Sequence, residues 1–290
     1  MGRASRLVGL TALCFAALLT TTAADTTPVT DACLEWFAGN GMAAAGRPGV
    51  FALASNRTAC FDGTIEKNAA DGAPGTDALI GWATSARRIE GDLLVMRSHG
   101  GDAARSIEIT EALQANGVQV VVSEVCASAC ANYFYAAVPD RHVIDGTIIL
   151  FHGGPSAVTR AELSALLDEA IEQRSTMSEA LGKVRTATLR SFDDLIARSD
   201  ALLERAGAST AIVHNVDALD LDALPARACG GDHGLPREFT YFGPEHAIVL
   251  GIAPVSGRPL TDPSLVNAEM VRRKKEGKRV AACLAPESLR

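Results

Sequence analysis

The sequence has little of what nucleic-acid and nucleotide partners require. Aromatic residues make up 5% of the 290, and 34 Asp and Glu outweigh 27 Lys and Arg for a net charge of −7. An acidic chain poor in stacking rings has no electrostatic footprint for nucleic acid. A GxGxxG fingerprint is missing, and so is a Walker lysine, which weighs against a nucleotide cofactor. There is no CxxC, hence no thioredoxin-type redox motif. Beyond the N-terminus no apolar run is long enough to cross a bilayer. Internal repeats and low-complexity tracts are absent too.

What is present begins with a leader. MGRASRLVGLTALCFAALLTTTAAD carries Arg3 and Arg6, then an apolar run from Leu7 to Leu19 that is too short to span a bilayer. Thr22 and Ala24 stand at the spacing a signal peptidase accepts, so residues 1–24 are expected to be a cleaved signal peptide. Leu13 before Cys14 weighs against a lipid anchor, and the Thr-rich end of the run disfavours an uncleaved membrane anchor. Cleavage leaves 266 residues; losing Arg3 and Arg6 takes Lys and Arg from 27 to 25 against 34 acids, a charge of −9. The expected location is periplasmic or secreted.

Six cysteines remain after Cys14: Cys33, Cys60, Cys126, Cys130, Cys229 and Cys283. An even number in an oxidising compartment suggests three disulfides, with 15 pairings open. Order along the chain suggests Cys33–Cys60, Cys126–Cys130 and Cys229–Cys283. Cys229 with His233 could instead join the CxxxC pair in a zinc site, a reading that export disfavours. No metal or cofactor is expected.

Between residues 47 and 152 strand and helix patterns alternate, which predicts an α/β domain. GVFALAS and ACFDGTI read as a strand pair, TDALIGWATSARRI as a helix, DLLVMRS as a strand. AARSIEITEALQANG reads as a helix stopped by Gly117, VQVVVS as a strand, SACANYFYAA as a helix and TIILFH as a strand. DACLEWF, upstream, is a short helix. From a capping-box pattern at Thr159 and Glu162 the chain is helical to about Gly207. HNVDALDLDALP continues as a short helix, and another opens at Pro244. Residues 256–290 read as a tail, whose basic run RRKKEGKR is a solvated face.

Two places could carry chemistry. SHGGD, residues 98–102, joins a strand to a helix and suits either an anion or, through its glycine amides, an oxyanion. VCASAC places Ser128 where a strand meets a helix N-terminus, between the small residues Ala127 and Ala129. There the Ala129 amide and the helix dipole would favour a developing negative charge; the plainer role for such a serine is a helix cap. His152 ends an apolar strand beside glycines, more available for chemistry than a histidine on a core face. His99, His142, His214, His233 and His246 complete the histidines.

Taken jointly, FDGTI, LLVMRSHGGD, VQVVVSEVCASACANYFYAA and TIILFHGGPS resemble the Clp-type serine protease proteolytic subunit of the ClpP/crotonase superfamily, and its exported bacterial relatives with a CxSAC element. The likeness covers about residues 58–158, and GPEHAIVLGI resembles the family's late PEA segment. It implies an α/β fold of the ClpP/crotonase type, a spiral of β-β-α units with an added helical region at 159–207, over residues 25–255. It implies Ser128 as nucleophile, His152 as base, and Gly100, Gly101 and Ala129 as oxyanion donors. His99 stands where the family has proline. For the acid, counting from AGAS gives Asp217 and counting back from PEH gives Asp232; Asp217 is preferred for its helical setting. Cys126 and Cys130 would staple the elbow around Ser128, or be two small buried residues that pack well. The resemblance further implies peptide or unfolded-protein substrates and homo-oligomers; export, away from ATP, removes an ATPase partner. A non-catalytic binding or assembly module is the alternative, and an acyl-CoA enzyme of the crotonase type fits export less well.

Overall fold

Strand and helix alternate through the first half of the protein because apolar runs of four to six residues there are separated by amphipathic segments. The computed structural model describes residues 27–41, 46–67, 74–173, 178–231, 234–273 and 280–289. Residues 1–26, where the signal peptide is expected, and Asp232, His233 and residues 274–279 lie outside these. A central sheet orders its strands β1 (Val50–Leu53), β2 (Thr58–Asp62), β3 (Leu93–Ser98), β4 (Gln119–Ala127) and β5 (Arg141–Val143), with β6 (Ile148–Leu150) also paired to β4. β1 and β2 form the expected strand pair, which is antiparallel, and every other pairing in this sheet is parallel. The fold is therefore mixed α/β around a mostly parallel sheet.

Central parallel strands are covered on both faces, which is why they read as continuous apolar runs. Leu94, Met96, Val120 and Val122 enter the main core. Leu93, Val95 and Val121 point the other way, against Cys33 and Phe37 of α1 (Thr27–Gly39). The main core is closed by α2 (Pro74–Ala83) and α3 (Ala103–Ala115), the latter followed by Gly117 at φ 61° as expected. α2 starts at a proline, suited to a first helical turn, and stops six residues short of the predicted end at Ile89.

The structure corrects or completes the local reading at four places. β4 does not end at Ser123: Glu124 takes φ 58°, the ladder with β3 shifts register, and the strand runs on to Ala127. That bulge switches β4 from β5, paired at Val120–Val122, to β6, paired at Val125–Ala127. β5 is three residues long and holds two basic side chains, too little pattern to read. The cap of the next helix, α4 (Ala157–Glu172), is Ser156 and not Thr159; Thr159 is its reciprocal partner three residues on. The helical region is an antiparallel hairpin of α4 and α5 (Ser178–Arg205), tied by Arg185–Asp168 at 2.6 Å and by Arg160–Asp193.

α7 (Pro244–Val249) opens at Pro244 as expected, whereas α6 (Ala211–Asp217) lies earlier than the helix read over HNVDALDLDALP, which is helical at its start and irregular from Ala218 to Pro225. The segment beyond 255, read as a tail, is structural: α8 (Pro263–Arg273) and β8 (Ala281–Leu284) build a second core, with β8 parallel to β7 (Arg237–Tyr241). Its partner strand lies some forty residues upstream, so no local pattern announces the pairing.

Three disulfides join Cys33–Cys60, Cys126–Cys130 and Cys229–Cys283, the pairing suggested by chain order. The bond to Cys283 excludes Cys229 as a thiolate zinc ligand. Chain-entropy arguments rank the three by the loops they close, of sequence separation 27, 4 and 54. Removing Cys229–Cys283 is expected to cost about 4 kcal/mol of unfolding free energy and Cys126–Cys130 about 2. Urea unfolding of the paired Cys→Ala variants measures this; equal costs would show that strain, not chain entropy, sets the order. The short Cys126–Cys130 loop thus contributes least to global stability, which leaves local positioning as its distinctive effect.

Candidate active site

Parallel pairing places the carboxyl ends of β4 and β6 side by side, where open α/β sheets bind ligands. Ala127 is in register with Leu150, and the Ser128 amide donates to the Leu150 carbonyl at 2.8 Å. Ser128 follows the one strand end and His152 lies two residues beyond the other. Their side chains meet: His152 Nε2 lies 2.5 Å from Ser128 Oγ. His152 is exposed, and its ring packs edge-on against Phe239, with centroids 5.4 Å apart.

Ser128 has φ 57°, in the left-handed region that side chains other than glycine rarely adopt. It caps no regular α-helix. The chain after it winds as a π-helical turn, Cys130–Tyr135, with the Asn132 amide donating to Ser128 O at 2.9 Å and Ala136 N to Ala131 O. A strained strand-to-turn residue that lifts a hydroxyl clear of the sheet has the geometry of a nucleophile elbow. The Cys126–Cys130 bond closes around it, with Cα atoms 5.2 Å apart. Because the turn is only six residues and π-wound, a helix dipole adds less than the sequence suggested.

The diglycine lies against this elbow. A Cβ on Gly100 would come within 2.7 Å of both the Ala129 amide nitrogen and Ser128 Cβ, so only glycine fits. Of the three expected oxyanion donors, the Gly100 amide is already engaged: it donates to Ser98 Oγ at 3.0 Å, and that hydroxyl is itself oriented by donating to Gly63 O at 2.6 Å. The Gly101 and Ala129 amides have no acceptor among the described residues. Those two remain as donors for a developing charge.

Asp217 reaches the same site by another route. Gly153, the residue after His152, has φ 82°, and a Cβ there would lie 2.7 Å from Asp217 Oδ1. The Asp217 carboxylate accepts a hydrogen bond from Ser156 Oγ, the cap of α4. Among the described residues no hydrogen bond joins it to His152. Asp217 thus lies beside the histidine loop, but its bond to the imidazole does not form here. Asp232 falls outside the described residues.

Sequence reading missed Asn132. It is buried, one turn beyond Ser128, and its Nδ2 donates to the Gly153 carbonyl at 2.5 Å, tying the elbow to the histidine loop. A polar residue in the apolar run ANYFYAA was the available signal. Tyr133 is buried near the same turn with Ser199 Oγ at 3.4 Å, and burial pushes its phenol up to about 12, so it adds no charge there.

His152 and Asp217 line a cleft of about 370 Å³. Val216, Leu219, Leu221 and Phe239 give it an apolar wall, and Arg237 and Glu238 add charge. A second groove, apolar and of about 320 Å³, runs between Tyr135, Phe242, Ile248 and Leu260 and contains none of these site residues. Among the described residues no cluster of His, Cys, Asp and Glu could hold a metal ion, and no helix is long and apolar enough to cross a membrane. No family model matches the chain, and no curated protein matches it either.

Proposed function

We propose that the protein is an exported, ATP-independent serine hydrolase of the ClpP-like type, acting on peptides or unfolded chains through an acyl-enzyme. The observation that carries this reading is Ser128 at positive φ with its hydroxyl 2.5 Å from His152 Nε2. In the proposed reaction Ser128 Oγ attacks the scissile carbonyl as its proton passes to His152. The tetrahedral oxyanion is received by the Ala129 and Gly101 amides, each worth about 3 kcal/mol of barrier. The C–N bond then breaks, His152 gives its proton to the departing amine, and water hydrolyses the ester by the same steps in reverse.

Supporting the ClpP-like spiral is the succession of strands and helices from β1 through β4, closed by the elbow. The leader and three disulfides support export. The α4–α5 hairpin supports self-association: α4 buries no residue of its own, yet Leu166 is 64% and Val184 on α5 56% exposed. A non-catalytic binding module is the second reading, and the Asp217 bond to Ser156 favours it, since a triad acid normally fixes the histidine tautomer.

A fluorophosphonate probe decides between them. On the folded, oxidised protein it is expected to tag Ser128, mapped by peptide mass spectrometry, with Ser128→Ala and His152→Ala abolishing the tag. Absence of labelling on wild-type protein would establish the binding-module reading.

A further inference from the structure

Among the charged residues that line the cleft beside His152, Arg237 has unusual partners. Arg237, at the start of β7, donates through Nη1 to the carbonyls of Leu221, Asp222 and Leu224 at 3.0, 3.1 and 2.7 Å. These bonds hold the chain that follows α6, and with it the Leu221 wall, over the cleft. They use one corner of the guanidinium. The Nε and Nη2 groups have no acceptor, and Arg237 makes no ion pair, among the described residues. The edge left open is the side-on pair of parallel N–H groups that grips a carboxylate with two hydrogen bonds. Asp217, which lines the same cleft, is already held by Ser156.

The side of the reaction is set by what lines the cleft. His152 does, and Ser128 does not. His152 is the group that protonates the departing amine, so in the hydrolase reading, on which this inference rests, the cleft takes the leaving part of the substrate. At about 370 Å³ it falls near the lower end of small-ligand pockets, roughly 300–1,000 Å³. A short segment fits that volume better than a continuing chain.

We propose that Arg237 is a specificity determinant: its open Nε–Nη2 edge binds the C-terminal carboxylate of the peptide, and the enzyme releases short C-terminal fragments. The apolar wall of Val216, Leu219, Leu221 and Phe239 then favours apolar side chains in the released piece.

The test uses three randomised hexapeptide pools ending in a free carboxylate, in a carboxamide, or in glutamate carboxamide, with cleavage sites read by mass spectrometry and KM and kcat measured on the best member of each. Wild-type protein is expected to prefer the free acid by about ten- to a hundred-fold, mostly in KM, the strength of hydrogen bonds to charged groups. Arg237→Gln and Arg237→Lys should bring the acid-to-amide ratio near one. The ratio is taken within each variant, so a loosened Leu221 wall that weakens both substrates alike cancels. A ratio unchanged by either substitution, or no wild-type preference, overturns the inference. Preference for the glutamate carboxamide over the free acid overturns its assignment to the chain terminus. Fluorophosphonate labelling of wild-type Ser128 separates the two levels: a tagged serine without carboxylate preference removes only this inference, whereas an untagged one removes the hydrolase reading with it.

Discussion

Ser128→Ala and Ser128→Gly are expected to be equally inactive and unequally stable. Loss of the hydroxyl should lower kcat by up to about 10⁶-fold, the scale seen when a serine nucleophile is removed from a working site. Alanine keeps a Cβ at φ 57°, where an L-residue pays about 1–2 kcal/mol, and glycine does not. The glycine variant gives back part of this through its freer unfolded chain. A net gap of about 1 kcal/mol in favour of Ser128→Gly remains, measurable by urea unfolding with the disulfides intact. Equal stability of the two variants would mean the elbow stores no strain. Retained turnover in either would remove Ser128 from the chemistry.

Arg97→Ala should be among the most destabilising single changes in the chain. The Arg97 side chain is 1% exposed on β3 and reaches Asp62 with two nitrogens, at 2.8 and 2.9 Å. It also donates to Glu124 at 2.6 Å and to the carbonyls of Phe37 and Gly41. Removing one member of a buried pair leaves the other charge without compensation, at about 3–5 kcal/mol. Among the described residues Asp62 would keep the partly exposed Arg47, at 2.8 Å, as its remaining ion-pair partner. The loss is expected as a shift in urea midpoint, with Arg97→Met/Asp62→Leu recovering much of it because no charge is then stranded. If Arg97→Ala costs under about 1 kcal/mol, water or a rearranged Arg47 must satisfy Asp62 in its place. Arg97 also holds Glu124, four residues before Ser128 and itself at φ 58°, so the same change should loosen the bulge that feeds the elbow.

Much of the architecture was legible in the sequence because it is written locally. Apolar runs bounded by glycine and charge marked β2, β3 and most of β4; period and end signals marked α3. An even cysteine count pointed to three bridges; the CASAC and FHGG segments made Ser128 and His152 candidates, and it was the family resemblance that implied their roles. β5, β8 and the cap at Ser156 were not legible. The strands are short, and β8 depends on a partner far away in the chain, so their stability comes from pairing and burial and leaves no period behind.

By itself, then, the sequence determined the residue types available for chemistry and the elements that carry them, since hydrophobic period, turn residues and cysteine number are properties of neighbours along the chain. Tertiary structure alone decided that the serine hydroxyl and the imidazole touch, through the β4–β6 register. It decided that the Gly100 amide is taken by Ser98, that Asn132 ties elbow to loop, and that Asp217 bonds Ser156. The Ser128–His152, Asn132–Gly153 and Ser156–Asp217 contacts span 24, 21 and 61 residues of chain. Such contacts follow from pairing register and core packing, which no window of sequence contains.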